Sequence, residues 1–245
     1  MSGAPKTAMV LAAGLGKRMR PITDRIPKPL VEVAGKPLID WGLDSLAAAG
    51  VERAIVNVHH LADALEAHLA ARKAPAIEIS DERDALLESG GGMVRALPRL
   101  GRGPVFVLNA DTFWIDAGES NLRRLALAWD DARMDILLML ARLDQATGHT
   151  GGTDFLLDGD GRLARSAGDP AGLIYAGALI LHPRVFDAAP EGAHSLNREF
   201  DAALAAGRLF GMPMHGSWVT VGTPDAIAPA EAAVARIGAG AGART

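Results

Sequence analysis

The chain contains no cysteine. That removes disulfides, thiolate metal sites and cysteine nucleophiles together. Large aromatics are scarce, with one tyrosine, six phenylalanines and four tryptophans in 245 residues. Alanine, leucine and valine must therefore fill the interior. No apolar run reaches the ~18–20 residues of a membrane span, and Met1–Lys6 is too short and polar for a signal peptide. These features predict a cytoplasmic protein that does not bind membranes. Strong basic charge is missing too. The net charge is −4 and no basic stripe stands out, which argues against a nucleic-acid partner. The seven histidines form no metal-ligand spacing, Gly-x-Ser-x-Gly is absent, and no repeat of 20–50 residues occurs.

What remains is an alternation of short apolar runs with amphipathic stretches. Residues 8–13, 53–58, 76–80 and 104–109 read as buried strands. Helical spacing appears at 38–49, with Gly50 closing it, and at about 61–72. The intervals suit the crossovers that parallel strands require. The pattern predicts a single α/β domain over residues 1–237, a Rossmann-like doubly wound sheet that is mixed but mostly parallel. A helix at 119–131, a strand at 134–140, a hairpin joining 153–157 to 162–166 through an Asp-Gly turn, and a strand at 173–181 continue the chain. Gly238–Thr245 has no apolar pattern and is expected to be disordered.

Ligands of such sheets gather at the carboxyl ends of strands, and there the chain reads Ala13-Gly14-Leu15-Gly16-Lys17-Arg18, then Pro27-Lys28-Pro29. Glycines let backbone N–H groups approach phosphate oxygens. Arg18 adds a planar charged fork and Lys28 a point charge, held in an extended loop stiffened by flanking prolines. A P-loop is excluded because Leu11 stands where its first glycine belongs and Arg18 follows Lys17. A dinucleotide fingerprint is excluded because Met19 holds the third glycine position, which also disfavours a Rossmann oxidoreductase. Further on, Gly90-Gly91-Gly92 places bare backbone before Met93, as at a helix start that favours anions. The acidic run before it reads as solvated. Asp111 ends the strand 104–109, where a carboxylate either caps the next turn or holds a hard cation.

Leu-Ala-Ala-Gly-x-Gly-x-Arg followed by Pro-Lys-Pro resembles the N-terminal signature of the sugar-1-phosphate nucleotidyltransferases. The resemblance extends over about residues 7–235. It implies UTP or another nucleoside triphosphate and a sugar 1-phosphate as partners, Mg²⁺ as cofactor, and a monomer or homodimer. By position it implies Arg18 and Lys28 as catalytic residues. Nucleotide contacts would come from Leu11, Ala12, Ala13, Gly14, Leu15, Gly16, Lys17, Glu88, Ser89, Gly90, Gly91 and Asn109. Asp111 would ligate the metal, and Asp154 and Gly177 would contact the sugar, although Asp154 also reads as an exposed hairpin residue and Gly177 as a bulge. Two departures stand out. Ala110 replaces a glycine, and Thr220 stands where Trp-x-Asp-Val-Gly-Thr-Pro would supply a second metal-binding carboxylate. A nucleotide-sugar-binding protein of weak activity is the alternative that Thr220 leaves open. Within the family, the Gly-Thr-Asp-Phe segment and short C-terminus resemble compact uridylyltransferases, with guanylyltransferases as the runner-up.

Overall fold

The computed structural model describes residues 3–242, with side chains to residue 238. The elements run β1 (Thr7–Leu11), β2 (Glu32–Val33), β3 (Lys36–Pro37), α1 (Leu38–Ala48), β4 (Arg53–Val58), α2 (Ala62–Leu69), β5 (Ala76–Asp81), α3 (Glu88–Leu100) and β6 (Val105–Asn109). There follow β7 (Thr112–Asp116), α4 (Asn121–Ala128), β8 (Ile136–Ala141), β9 (Ala146–Thr147), β10 (Phe155–Leu157), β11 (Leu163–Arg165) and β12 (Ile174–Leu181). The chain closes with α5 (Asn197–Ala205), β13 (Leu209–Pro213), β14 (Gly216–Thr220) and α6 (Ile227–Gly242).

Seven strands form the central sheet in the order β13-β8-β12-β6-β1-β4-β5. Every pair is parallel except those of β12, which runs against both neighbours. The expected doubly wound, mixed, mostly parallel sheet is what forms. Its strands are apolar on both faces because both are covered. Ala8 and Val10 of β1 face a core with Leu43 and Leu46 of α1, Leu65 of α2 and Leu125 of α4. Met9, between them, faces the opposite core with Met93 and Ala96 of α3 and Phe200 of α5. One residue's difference in register thus sends neighbours to opposite layers.

A third core gathers Met19, Val31, Val33, Leu38, Phe113, Val219 and Ala230 beneath α6. It packs on a small sheet, β7-β14-β9, that the periodicity did not foretell. There Trp41 stacks on Phe113 at 4.5 Å between ring centroids, a 15° offset-type pair. The β10–β11 hairpin forms as expected, closed by Asp158 N donating to Arg162 O.

One expectation is corrected here. The triple glycine lies inside α3, which begins at Glu88, and not ahead of the helix. Pro37 is extended (φ −54°, ψ 141°) and immediately precedes α1. Helix α6 runs as far as Gly242, and residues 243–245 of the tail expected to be disordered lie outside the described residues.

The glycines inside α3 have a packing reason. Gly90 and Gly91 sit beneath the segment 192–194. A Cβ on Gly91 would overlap the Gly192 carbonyl oxygen, and one on Gly90 would overlap the His194 ring. Backbone cannot yield as a flexible side chain does. Gly91→Ala is expected to lower unfolding stability by about 1–3 kcal/mol, the usual cost of overpacking. Urea unfolding of the variant beside the parent protein measures it.

Candidate active site

At the carboxyl end of β1 the chain must leave the sheet, and Leu11 O is met by Ala110 N from the end of β6 at 3.1 Å. The next amide, Ala12 N, donates to Asn57 Oδ1 at 2.7 Å. Asn57 is a buried polar residue on β4, and its Nδ2 donates to Glu82 Oε1 at 2.8 Å. Glu82 is fully buried, so the acidic run is not wholly solvated. Burial pushes its carboxyl above the usual range, opposed by the Asn57 hydrogen bond. Gly92 completes this cluster, since a Cβ there would lie 2.8 Å from both Asn57 Nδ2 and Glu82 Oε1.

Beyond Ala12, the N–H groups of Ala13, Gly14 and Leu15 donate to no acceptor among the described residues. Gly14 is exposed, with open space where a Cβ would be. Gly16 differs. Its φ is +61°, and a Cβ would lie 2.8 Å from Thr23 Cγ2 and 3.2 Å from Lys28 Cβ. It lets the loop close onto the lysine, and Thr23 Oγ1 fixes the turn by donating to Gly16 O at 2.9 Å.

Lys28 lies between its two prolines but opens a 3₁₀ turn, Lys28–Leu30, where an extended conformation was expected. The bonds from Leu30 N to Pro27 O and Val31 N to Lys28 O outweigh the pre-proline bias. The side chain is buried, and Nζ donates to Asp111 Oδ2 at 2.6 Å. Asp111 is held from below by Val221 N donating to its carbonyl at 3.2 Å, which brings the Thr220–Val221 segment alongside.

A cavity of about 330 Å³ opens on this pair, walled by Leu11, Ala12, Ala13, Gly14, Glu88, Ser89, Asn109 and Asp111 together with Asn57 and Leu86. A second, of about 320 Å³, adjoins it through Leu11, Ser89 and Asn109 and continues to Asp154, Arg165, Tyr175 and Asn197. Asp154 Oδ2 accepts from Tyr175 N at 2.8 Å, leaving its other oxygen uncommitted among the described residues. The Tyr175 hydroxyl is buried without a partner among them, and burial, reinforced by the charge of Asp111, holds the phenol protonated.

Not every expected residue lines these cavities. Leu15, Gly16 and Lys17 lie outside their walls. Arg18 is exposed, and its guanidinium lies beside Gly222, whose missing Cβ would approach it to 3.7 Å. Gly90 and Gly91 face the 192–194 segment instead of the cavity, and His194 O accepts from both their amides. Gly177 (φ +74°) turns its bare face to Thr112 and Asn109, within the shift of register where β12 bulges against β8. Asn57, Leu86, Arg165, Tyr175 and Asn197 were not anticipated. Of these only Asn57 had a signal, as a polar residue inside an apolar strand.

For a metal, the donor set is sparse. No group of three or more His, Cys, Asp or Glu side chains suited to an ion exists among the described residues. Asp111 alone presents a carboxylate at the strand end. One carboxylate fits an ion such as Mg²⁺ that keeps its waters and binds substrate phosphates, and does not fit a protein-caged one.

Residues 8–190 match the model of the MobA-like NTP transferase domain, three quarters of the chain. The chain belongs to that family. Over 96% of its length it is 50% identical to the N-acetylmuramate alpha-1-phosphate uridylyltransferase of Caulobacter vibrioides, 99% of which is covered. Over 92% it is 33% identical to the protein of that name from Neisseria meningitidis, 96% of which is covered. Among solved structures, a UDP-glucose pyrophosphorylase complexed with UDP-glucose superposes with a TM-score of 0.78 at 17% identity, covering 94% of this chain and 98% of that one. The inositol-1-phosphate CTP transferase of T. maritima gives 0.75 at 20%, with 92% of each chain covered. These two share the fold. The chain is thus a sugar-1-phosphate nucleotidyltransferase of the MobA-like family.

Glu82 gives this site a measurable pH signature. Because its carboxyl is raised in the folded protein, the unfolded chain ionises first as pH climbs past 4.5, the ordinary value. Native stability attributable to Glu82 is therefore present at low pH and declines as pH rises through the elevated value. Glu82→Gln keeps an acceptor for Asn57 but cannot ionise. The melting-temperature difference, variant minus parent, is expected to be smallest near pH 4 and to grow towards neutrality. A difference that is constant over pH 4–8 contradicts the assignment.

Proposed function

We propose that this enzyme joins UTP and N-acetylmuramic acid 1-phosphate, forming UDP-N-acetylmuramic acid and pyrophosphate, as a cytoplasmic step of cell-wall recycling. The observation that carries the proposal is half-identity, over nearly the whole length, to a relative of that name. The geometry supports it: the cavity over Lys28 and Asp111 adjoins a second along Leu11, Ser89 and Asn109, enough for a nucleotide in one and a sugar in the other.

In this mechanism an oxygen of the sugar phosphate attacks the α-phosphorus of UTP in line. The new O–P bond forms as the bond to pyrophosphate breaks. The attacking oxygen is already anionic, so no side chain need remove a proton. The protein's part is positioning and charge. Free amides of Ala13, Gly14 and Leu15 offer donors to the triphosphate. Lys28 neutralises the charge that builds on the α-phosphoryl oxygens, and its position is fixed by Asp111 on one side and the Gly16 turn on the other. Arg18, at the exposed end of the loop, meets the outer phosphates. Leu86, Glu88 and Ser89 flank the base, and Asp154 accepts from a sugar hydroxyl. Asp111 would hold Mg²⁺, which supplies charge neutralisation of the triphosphate when bound; Thr220, lacking a carboxylate, leaves that position to water and phosphate oxygens.

A pyrophosphate-release matrix tests the proposal, with UTP, GTP, CTP, ATP and dTTP against the 1-phosphates of N-acetylmuramate, mannose, glucose and heptose. The expected product is UDP-N-acetylmuramic acid. GTP with mannose 1-phosphate as the best pair would instead favour the guanylyltransferases, which match this chain at 27–29% identity. Binding of UTP without turnover would favour a binding protein. Lys28→Ala is expected to lower kcat by roughly 10²–10³-fold, as for loss of one preorganised charge contact. An unchanged rate removes Lys28 from the mechanism.

A further inference from the structure

The cavity beyond Asn109 contains one cation that nucleotidyl transfer does not require. In the function proposed above, phosphate charge is met at Lys28 and a sugar hydroxyl by Asp154. Arg165, on β11, nevertheless lines this wall. Its guanidinium is fixed on three sides. Nη2 and Nε donate to Asp201 Oδ1 at 2.6 and 3.1 Å, Nη2 also donates to Asn197 Oδ1 at 3.3 Å, and the plane lies over the Phe155 ring, 4.7 Å from its centroid. Nη1 alone donates to no acceptor among the described residues. The group is therefore oriented in advance with one end of the fork unspent.

The simpler account is a surface ion pair bridging β11 and α5. Such a pair, with side chains 39% and 64% exposed, contributes little stability. It also gives no reason for the cation to border the acceptor cavity. Resting on the function proposed above, there is a chemical reason. N-acetylmuramic acid differs from N-acetylglucosamine by a lactyl ether that ends in a carboxylate. A planar guanidinium matches a carboxylate in charge and geometry as no hydroxyl-reading group does. We propose that Arg165 is the specificity-determining residue of the acceptor cavity and binds the carboxylate of an acidic sugar 1-phosphate through Nη1. The side chain is 39% exposed, which leaves room for that approach, and Asp201 and Asn197 engage Nε and Nη2 so that Nη1 is the nitrogen left to present.

The test compares N-acetylmuramic acid 1-phosphate with N-acetylglucosamine 1-phosphate, which lacks the carboxylate, at saturating UTP. Each sugar is scored by kcat/KM or, where one is not turned over, by Ki against the other. The parent enzyme is expected to prefer the acidic sugar. Arg165→Gln should lower kcat/KM for it by about 10–100-fold, mainly through KM, the span expected for losing a charged hydrogen bond. The value for the neutral sugar should stay within about twofold, and Arg165→Lys should recover part of the loss. Unchanged UTP affinity by calorimetry shows that the variant is folded. Should Arg165→Gln not fold, the parent enzyme itself decides: KM for the acidic sugar must rise more steeply with salt than KM for the neutral one. Equal loss on both sugars, no loss on either, or equal salt slopes overturns the assignment of Arg165. The two proposals fail distinguishably. A parent enzyme that ignores N-acetylmuramic acid 1-phosphate sinks the function and Arg165 with it, whereas a parent that uses it as well as Arg165→Gln does sinks Arg165 alone.

Discussion

The contact from Lys28 Nζ to Asp111 Oδ2 joins the loop after β1 to the end of β6, two segments far apart in sequence. Everything around it serves to keep that geometry. Pro27 and Pro29 bracket the lysine, Gly16 lets the preceding loop close on it, and Val221 holds Asp111 from the small sheet. A buried ammonium needs a partner, and this one has a carboxylate that also serves as the cavity's acidic wall. The pair therefore places a positive and a negative group side by side in the wall of the first cavity.

Behind this front lies a buried polar chain that reaches the cavity wall only at Asn57 and Ala12. Asn57 on β4 fixes Ala12, and Glu82, at the end of β5, fixes Asn57. Gly92 of α3 is bare because those two side chains fill its space. The loop after β1 is thus set by three elements at once. On the other flank, Ser89 Oγ accepts from Leu196 N, and His194 O accepts from Gly90 and Gly91, so the helix start bordering both cavities is pinned by a segment near α5.

The fold was legible because its signal is local. Apolar runs bounded by glycine and proline announced the strands, and the sheet formed from them as expected. The gathering of Gly14, Gly16 and Lys28 at the carboxyl end of β1 was legible for the same reason, as they stand close in sequence. The roles of Gly90, Gly91 and Gly177 were not. A glycine letter records that a Cβ is excluded and is silent on what excludes it. Here the occupants are Gly192, His194 and Thr112, all brought near by tertiary packing. Glu82 was hidden by charged neighbours, Asp81, Arg83 and Asp84, that do face solvent. Arg165 was hidden because a basic residue after a hairpin turn looks like any other, and only the fold brings Phe155, Asp201 and Asn197 around it.

Strand β12 runs opposite to its neighbours, so its beginning, not its end, reaches the ligand side of the sheet. Ile174 and Tyr175 arrive there directly after the β10–β11 hairpin, which supplies Arg165. Four residues of the second cavity's wall, Asp154, Phe155, Arg165 and Tyr175, thereby come from one contiguous stretch, residues 154–175, while Leu11, Ser89, Asn109 and the segment 195–200 supply the rest. Exchanging that stretch would recast one wall of the second cavity while leaving the loop after β1, with Gly14, Gly16 and Lys28, in place.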